Sequence, residues 1–412
     1  MITTLFADQH GEIFDQPGKA AVGRSGDRLV PLSRENMIPL PEGAELMFLP
    51  GRRAVAWEQG EAKALTNKGL AVAAMLPVGY TRTLLPAFIK GEDAPVLPLY
   101  GYTAAALIDD EIYVAAVKSD DNAKWHPYAY NTPKLKGKVR RLTEQFPKNR
   151  LVEHLGNCSL SWHCCTAQNL FYHRWEAGIP TSPVCNANCF GCISLQPSEC
   201  CPSPQTRIAF TPTPEEVAEI GAYHLATAED GIISFGQGCE GEPSLAYETI
   251  AAAMQQIRAV TDQGILNINT NAGFTTGIKA IVDAGLNSMR VSINSPTDAV
   301  YQAYYRAGYD LAAVKESIRY AKSKGVFVSL NMLFFPGIND CESEVAAWES
   351  FIKELAIDMI QLRNLNVDPD ELMTIMPKMT SAAMGVKPMI ARLQQAAPSL
   401  VIGSFSHYNK EE

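Results

Sequence analysis

The chain has 412 residues, 47% of them hydrophobic and 19% charged, and a formal net charge of −9. At roughly 100–200 residues per domain this length holds two or three domains, and the composition excludes wholesale disorder. The acidic balance argues against a general nucleic-acid binder, which carries a basic face. No run of about 18 apolar residues lacks a charge or breaker, so no membrane span is expected. Residues 1–8 lack the basic and apolar regions of a signal peptide, which makes a reducing cytoplasm the expected compartment.

Residues 1–145 carry short apolar runs, such as 45–49 and 112–117, between turn signals like Pro50-Gly51 and Asp109-Asp110. That pattern predicts a small β-rich N-terminal domain. It has no cysteine, and the polar stretch 134–150 leads out of it. Residues 146–205 contain eight of the ten cysteines among scattered Pro, Gly and aromatic residues. Helical periodicity is weak there, and long loops wrapped around a metal centre would explain the composition.

From residue 206 the pattern alternates. Helices are predicted over 214–228, 245–260, 276–284, 311–324 and 342–355. Strands are predicted over 231–235, 265–269, 288–293, 326–332 and 359–362. Such repeats imply right-handed βαβ units and a parallel sheet with its ligand site at the strands' carboxyl ends. Arg290, Ser292 and Asn294 share one strand face, as do Asn267, Asn269 and Asn271, and Ser329 with Asn331. A strand covered by helices on both faces should be apolar throughout. The polar faces therefore favour a barrel or part-barrel around a polar ligand over an open flavodoxin-like sheet with polar strand ends.

The sharpest feature is Cys185-Asn186-Ala187-Asn188-Cys189-Phe190-Gly191-Cys192, three thiols at spacing C-x3-C-x2-C. Thiolates are the preferred ligands of iron–sulfur clusters and of zinc. Three leave a coordination position open for chemistry. The spacing also marks one face of a helix, but two Asn and a Gly within eight residues disfavour a helix there. A structural zinc site completed by Cys200, Cys201 or His173 is the stronger competing reading.

The triplet resembles the signature of the radical S-adenosylmethionine (radical SAM) superfamily. Gly241-Glu242-Pro243 resembles that family's GGEP turn, and it follows the second barrel strand as the order requires. Val291-Ser292-Ile293-Asn294 resembles the ribose-binding strand. Phe335-Pro336-Gly337-Ile338-Asn339-Asp340, with Glu344 soon after, resembles the turn after the fifth strand, and Ile360-Gln361-Leu362-Arg363 the sixth strand near the adenine. The resemblance covers about residues 180–370. Two departures concern local contacts: the aromatic usually just before the third cysteine stands one step earlier, at Phe190, and Glu240 replaces the first glycine of the pair.

The resemblance implies a partial (β/α)6 TIM-like barrel over 180–412 with a C-terminal extension. It implies that Cys185, Cys189 and Cys192 hold a 4Fe-4S cluster whose fourth iron chelates S-adenosyl-L-methionine. Reductive cleavage would then give methionine and a 5′-deoxyadenosyl radical that abstracts hydrogen from substrate. Backbone groups of Gly241, Glu242 and Pro243 would receive the methionine ammonium, and a glycine lets the backbone approach closely. Ser292 and Asn294 would bind ribose hydroxyls. Arg290 or Arg363 would meet the methionine carboxylate, or either could be a structural ion-pair partner. The N-terminal domain or the cysteine-segment loops would cover the barrel mouth.

Cys158, Cys164, Cys165, Cys200 and Cys201 form a candidate second site for an auxiliary iron–sulfur cluster or a metal ion. Cysteine followed by proline, as in Cys201-Pro202, recurs in ferredoxin-type clusters. Cys239, in the Gly-rich turn, could face the substrate, and Cys341 reads as a small buried residue. The expected protein is a cytoplasmic oxidoreductase or transferase that takes electrons from a flavodoxin or ferredoxin. A peptide, a protein or a small metabolite all fit as substrate, and nucleic acid is disfavoured. The competing function is a zinc-stabilised α/β binding protein without radical chemistry.

Overall fold

In the computed structural model of the chain, residues 1–66, 69–97, 99–121, 123–195 and 205–407 are described. Seven strands form one sheet in chain order, here β1 (Glu176–Gly178), β2 (Ile232–Phe235), β3 (Ile265–Thr270), β4 (Ser288–Ile293), β5 (Phe327–Phe334), β6 (Met359–Asn364) and β7 (Val401–Gly403). Pairing from β1 through β5 is parallel throughout. Helices Pro214–Thr227, Tyr247–Val260, Thr275–Asp283, Leu311–Ser323 and Glu342–Leu355 connect successive strands, with an additional helix, Asp298–Tyr305, after β4. Their starts are locally encoded. Thr213 and Glu216 form a capping box with Pro214 in the first turn, and Asp310 accepts from the Ala313 amide.

The sheet curls, and its inner face shows it. Glu176 of β1 accepts from the Ser234 hydroxyl of β2 at 2.7 Å, and Asn267 of β3 donates to Ser234 at 2.9 Å. Arg290 of β4 then lies 3.6 Å from Glu176, with two strands between them in the sheet order. In a flat sheet those backbones would stand about 14 Å apart with side chains pointing in parallel. Contact needs the strands to wrap inward, which makes this the partial barrel expected from the alternating polar residues. The opposite face is apolar: Ile233, Phe235, Leu266, Ile268, Val291, Val328 and Leu330 are fully buried under the helices.

The segment predicted as cluster-wrapping loops is partly helical. Arg150–Ser161 and Cys165–Tyr172 are helices, and so is Leu135–Gln145 in the stretch read as a lead-out. Leu151, Val152, Leu155 and Cys158 make a buried face, and Asn149 caps the start by accepting from the Leu151 amide. The apolar positions are interrupted by His154, Gly156 and Asn157, which hid the period.

By compactness the chain divides into residues 1–127, 333–350 and 362–404 on one side, and 128–332, 351–361 and 405–412 on the other. The first unit holds a nine-stranded sheet of antiparallel pairs, with Glu45–Glu58 as its longest strand. Segments distant in sequence are tied into this unit by ion pairs and hydrogen bonds. Arg52 pairs with Asp368 at 2.6 Å with both side chains fully buried, Arg24 pairs with Asp370 at 2.5 Å, and Arg82 donates to the Leu365 carbonyl. The turn after β5 joins them: the Gly26 amide donates to the Pro336 carbonyl at 2.8 Å. Gly337 sits at φ +87°, and a Cβ there would come 2.1 Å from the Gly26 nitrogen. No helix among the described residues is long and apolar enough to cross a membrane.

Candidate active site at the cysteine loop

The cysteine triplet lies on the loop that leaves the carboxyl end of β1. Three sets of contacts hold that loop. At its entry, the Gly241 amide donates to the Ser182 carbonyl (2.7 Å) and the Glu242 amide to the Val184 carbonyl (2.8 Å). A Cβ on Gly241 would stand 1.9 Å from the Val184 oxygen, so only glycine lets the two loops lie together. In its middle, the Asn271 side chain at the end of β3 donates to Asn186 at 2.7 Å. Along its length, the Asn188 and Phe190 amides donate to the Tyr305 and Tyr304 carbonyls, at 3.0 and 2.9 Å, at the end of helix Asp298–Tyr305. Phe190, the aromatic displaced by one position, receives the Arg306 guanidinium over its ring at 5.1 Å.

Two buried carboxylates organise the junction. Glu240 accepts from the Thr181 (2.7 Å) and Ser182 (3.0 Å) amides through one oxygen. Its other oxygen accepts from the Gly236 and Gln237 amides, both at 2.7 Å. The residue that replaces the usual glycine thus staples the cysteine loop to the end of β2. Burial pushes its carboxyl up to about 7, while the four amide donors favour the charged form. Glu242 accepts from the Asn271 amide (2.8 Å), the Ser244 amide (3.1 Å) and the Thr270 hydroxyl; burial raises its carboxyl too. Pro243 opens the short helix that follows.

Burial is the largest cause of the upward shift at the Cys189 and Cys185 thiols; Cys192 adds to both, and Cys185 to that of Cys189. A cation stands beside them that the sequence reading missed. Arg207 donates to the Cys192 sulfur at 3.6 Å and to Ser194 Oγ at 3.1 Å. Nothing in its sequence neighbourhood marks it.

The other expected site residues are placed as follows. Ser292 accepts from the Asn331 side chain at 3.3 Å, and Asn294 is buried and donates to the Val300 carbonyl at 3.1 Å. Arg290 is largely enclosed inside the barrel, donating to Gln361 and Ser406, both at 3.0 Å, beside Glu176; this is the ion-pair alternative read from the sequence. Arg363 belongs to the other unit, where it donates to the Ser404 carbonyl at 2.7 Å.

Of the five cysteines read as a second site, Cys158, Cys164 and Cys165 are among the described residues. Cys200 and Cys201 lie outside the described residues. The Cys165 thiol turns to the His163 carbonyl at 3.9 Å. Cys158 instead meets His154 and Cys239, the three ligand atoms lying within 4.8 Å of one another. Cys239 is therefore buried against a helix rather than a substrate-facing thiol. Its hydrogen bond to Cys158 draws the Cys158 thiol down and its own up.

Residues 179–348 match the model of the Radical SAM superfamily. This segment is a radical SAM domain. Radical SAM enzymes carry a 4Fe-4S cluster and S-adenosylmethionine, and the loop fits the cluster: three neighbouring thiols and a cationic N–H on one sulfur. Solved structures similar to the chain include "Native anSMEcpe with bound AdoMet" (17% identity, 47% of this chain and 52% of that one, TM-score 0.36). They also include HydG, a maturase of the [FeFe]-hydrogenase (15%, 64% and 62%, TM-score 0.38), and methylornithine synthase PylB (15%, 65% and 74%, TM-score 0.39). The chain spans 52% and 62% of the length of the first two. None of the curated proteins compared matches it.

Proposed function

We propose that the chain is a radical SAM enzyme in which Cys185, Cys189 and Cys192 hold a 4Fe-4S cluster and the barrel interior receives S-adenosylmethionine. The observation that carries this reading is the anchored loop: three thiols sit together where parallel α/β folds bind ligands, on a loop fixed by Gly241, Glu242 and Asn271. When bound and reduced, the cluster would supply the electron that cleaves the sulfonium, giving the 5′-deoxyadenosyl radical that takes a hydrogen atom from substrate.

The chain's own part is position and electrostatics. Glu240 and Gly241 fix the entry of the cysteine loop, Asn271 and the Tyr304–Tyr305 carbonyls fix its course, and Arg207 places positive charge on the Cys192 side. Ser292 and Asn331, on neighbouring strands of the inner face, are hydroxyl and amide groups suited to a sugar. The peptide, protein or metabolite that serves as substrate is selected elsewhere in the barrel mouth, and a small ferredoxin or flavodoxin would deliver the electron.

Anaerobic incubation of the reconstituted protein with S-adenosylmethionine and dithionite tests this. The expected products are 5′-deoxyadenosine and methionine, and Cys189→Ala should abolish both. S-adenosylhomocysteine as the product would instead indicate ordinary methyl transfer. A colourless zinc protein without cleavage would favour a binding module.

A further inference from the structure

We propose that His154, Cys158 and Cys239 form a second metal site, one that takes a single thiophilic divalent cation of the zinc class. The inference stands on geometry separate from the cysteine loop and does not rest on the radical SAM reading. His154 and Cys158 are one turn apart on helix Arg150–Ser161 and so share a face. Cys239 comes to them from the turn after β2, and both sulfurs are buried, at 2% and 3% exposure.

The distances are those of one ion. With Zn–S near 2.3 Å and Zn–N near 2.05 Å, tetrahedral coordination separates a thiolate from an imidazole nitrogen by about 3.6 Å. The Cys158 sulfur and His154 Nε2 are 3.6 Å apart, and all three ligand atoms lie within 4.8 Å. Thiolates on separate irons of a cluster would stand farther apart. Cys164 is near enough to act electrostatically on Cys239, and its amide donates to the Cys158 carbonyl at 3.1 Å.

The site joins two elements that the cysteine loop depends on. Cys239 directly precedes Glu240 and Gly241, and its carbonyl accepts from the Ile208 amide at 2.7 Å. A cation here would bolt helix Arg150–Ser161 to the turn that staples the loop, and its binding energy would become folding energy.

The test uses the full-length chain carrying Cys185→Ala, Cys189→Ala and Cys192→Ala together, purified without oxygen. Elemental analysis should find one zinc per chain and little iron. In the chain with the triplet intact, His154→Gln and Cys239→Ser should each remove one zinc per chain. Zinc absent from both preparations would overturn the proposal. So would iron and sulfide near four per chain in the triple variant, which would mean a second cluster, or a Cys158–Cys239 disulfide in non-reducing peptide mapping. Formation of 5′-deoxyadenosine by the wild-type chain is read separately, so failure of either assignment is distinguishable from failure of the other.

Discussion

Arg290 and Glu176 meet inside the barrel at 3.6 Å, across two intervening strands. Glu176 is buried and the Arg290 side chain is only 14% exposed, so neither charge is well solvated without the other. Removing one partner of such a pair typically costs about 3–5 kcal/mol, whereas replacing both with apolar residues is far milder. Arg290→Met should therefore lower the denaturation midpoint strongly, and the Glu176→Gln, Arg290→Met double variant should recover much of the loss. Chemical denaturation of the three proteins checks it; a double variant as weak as the single one would show that the pair does not hold the curl.

Gly241 and Val184 predict a local defect. A methyl at 241 collides with a backbone oxygen, which no rotamer change relieves. Gly241→Ala should displace the cysteine loop from the turn while the outer helices keep their packing. The expected result is near-native circular dichroism with iron retention after reconstitution reduced several-fold. Wild-type iron content in this variant would contradict the close approach.

Arg207 donates to the sulfur of Cys192. Hydrogen bonds and positive charge at cluster sulfurs favour the reduced, more negative state. Arg207→Met should lower the midpoint potential of the reconstituted cluster by tens of millivolts and slow reductive cleavage, with iron content unchanged. Redox titration followed by electron paramagnetic resonance reads the shift.

His224 predicts an acid sensitivity. It is fully buried on helix Pro214–Thr227, and its Nε2–H donates to the Trp175 carbonyl at 2.9 Å. Burial holds its pKa down to about 4, against an ordinary 6.5. The unfolded chain thus takes up a proton between those values while the folded chain does not, so stability is intact above pH 6.5 and falls as pH drops toward 4. The loss is at most about 3 kcal/mol. His224→Gln should flatten this limb of the stability profile, measured by denaturation at several pH values.

The sequence made the alternation of strands and helices legible because the helices carry their own apolar period and some, such as Pro214–Thr227 with Thr213 and Glu216, their own cap. It also exposed the triplet, since its three thiols sit within eight residues and their spacing is itself the signal. The helices between 150 and 172 were missed because polar residues interrupt their buried faces.

The staple and the second cysteine cluster were invisible for a different reason. Glu240 read as a departure from a glycine pair, and only its four amide contacts reveal what it holds. His154 and Cys239 are far apart in the chain, and nothing local marks either as the other's neighbour. What the amino-acid order settled by itself is whatever depends on neighbours along the chain: element type, caps and the clustered thiols. The curl of the sheet, the pairing of Arg290 with Glu176 and the meeting of His154, Cys158 and Cys239 were decided by tertiary structure, because each depends on the packing that brings remote backbone segments within reach.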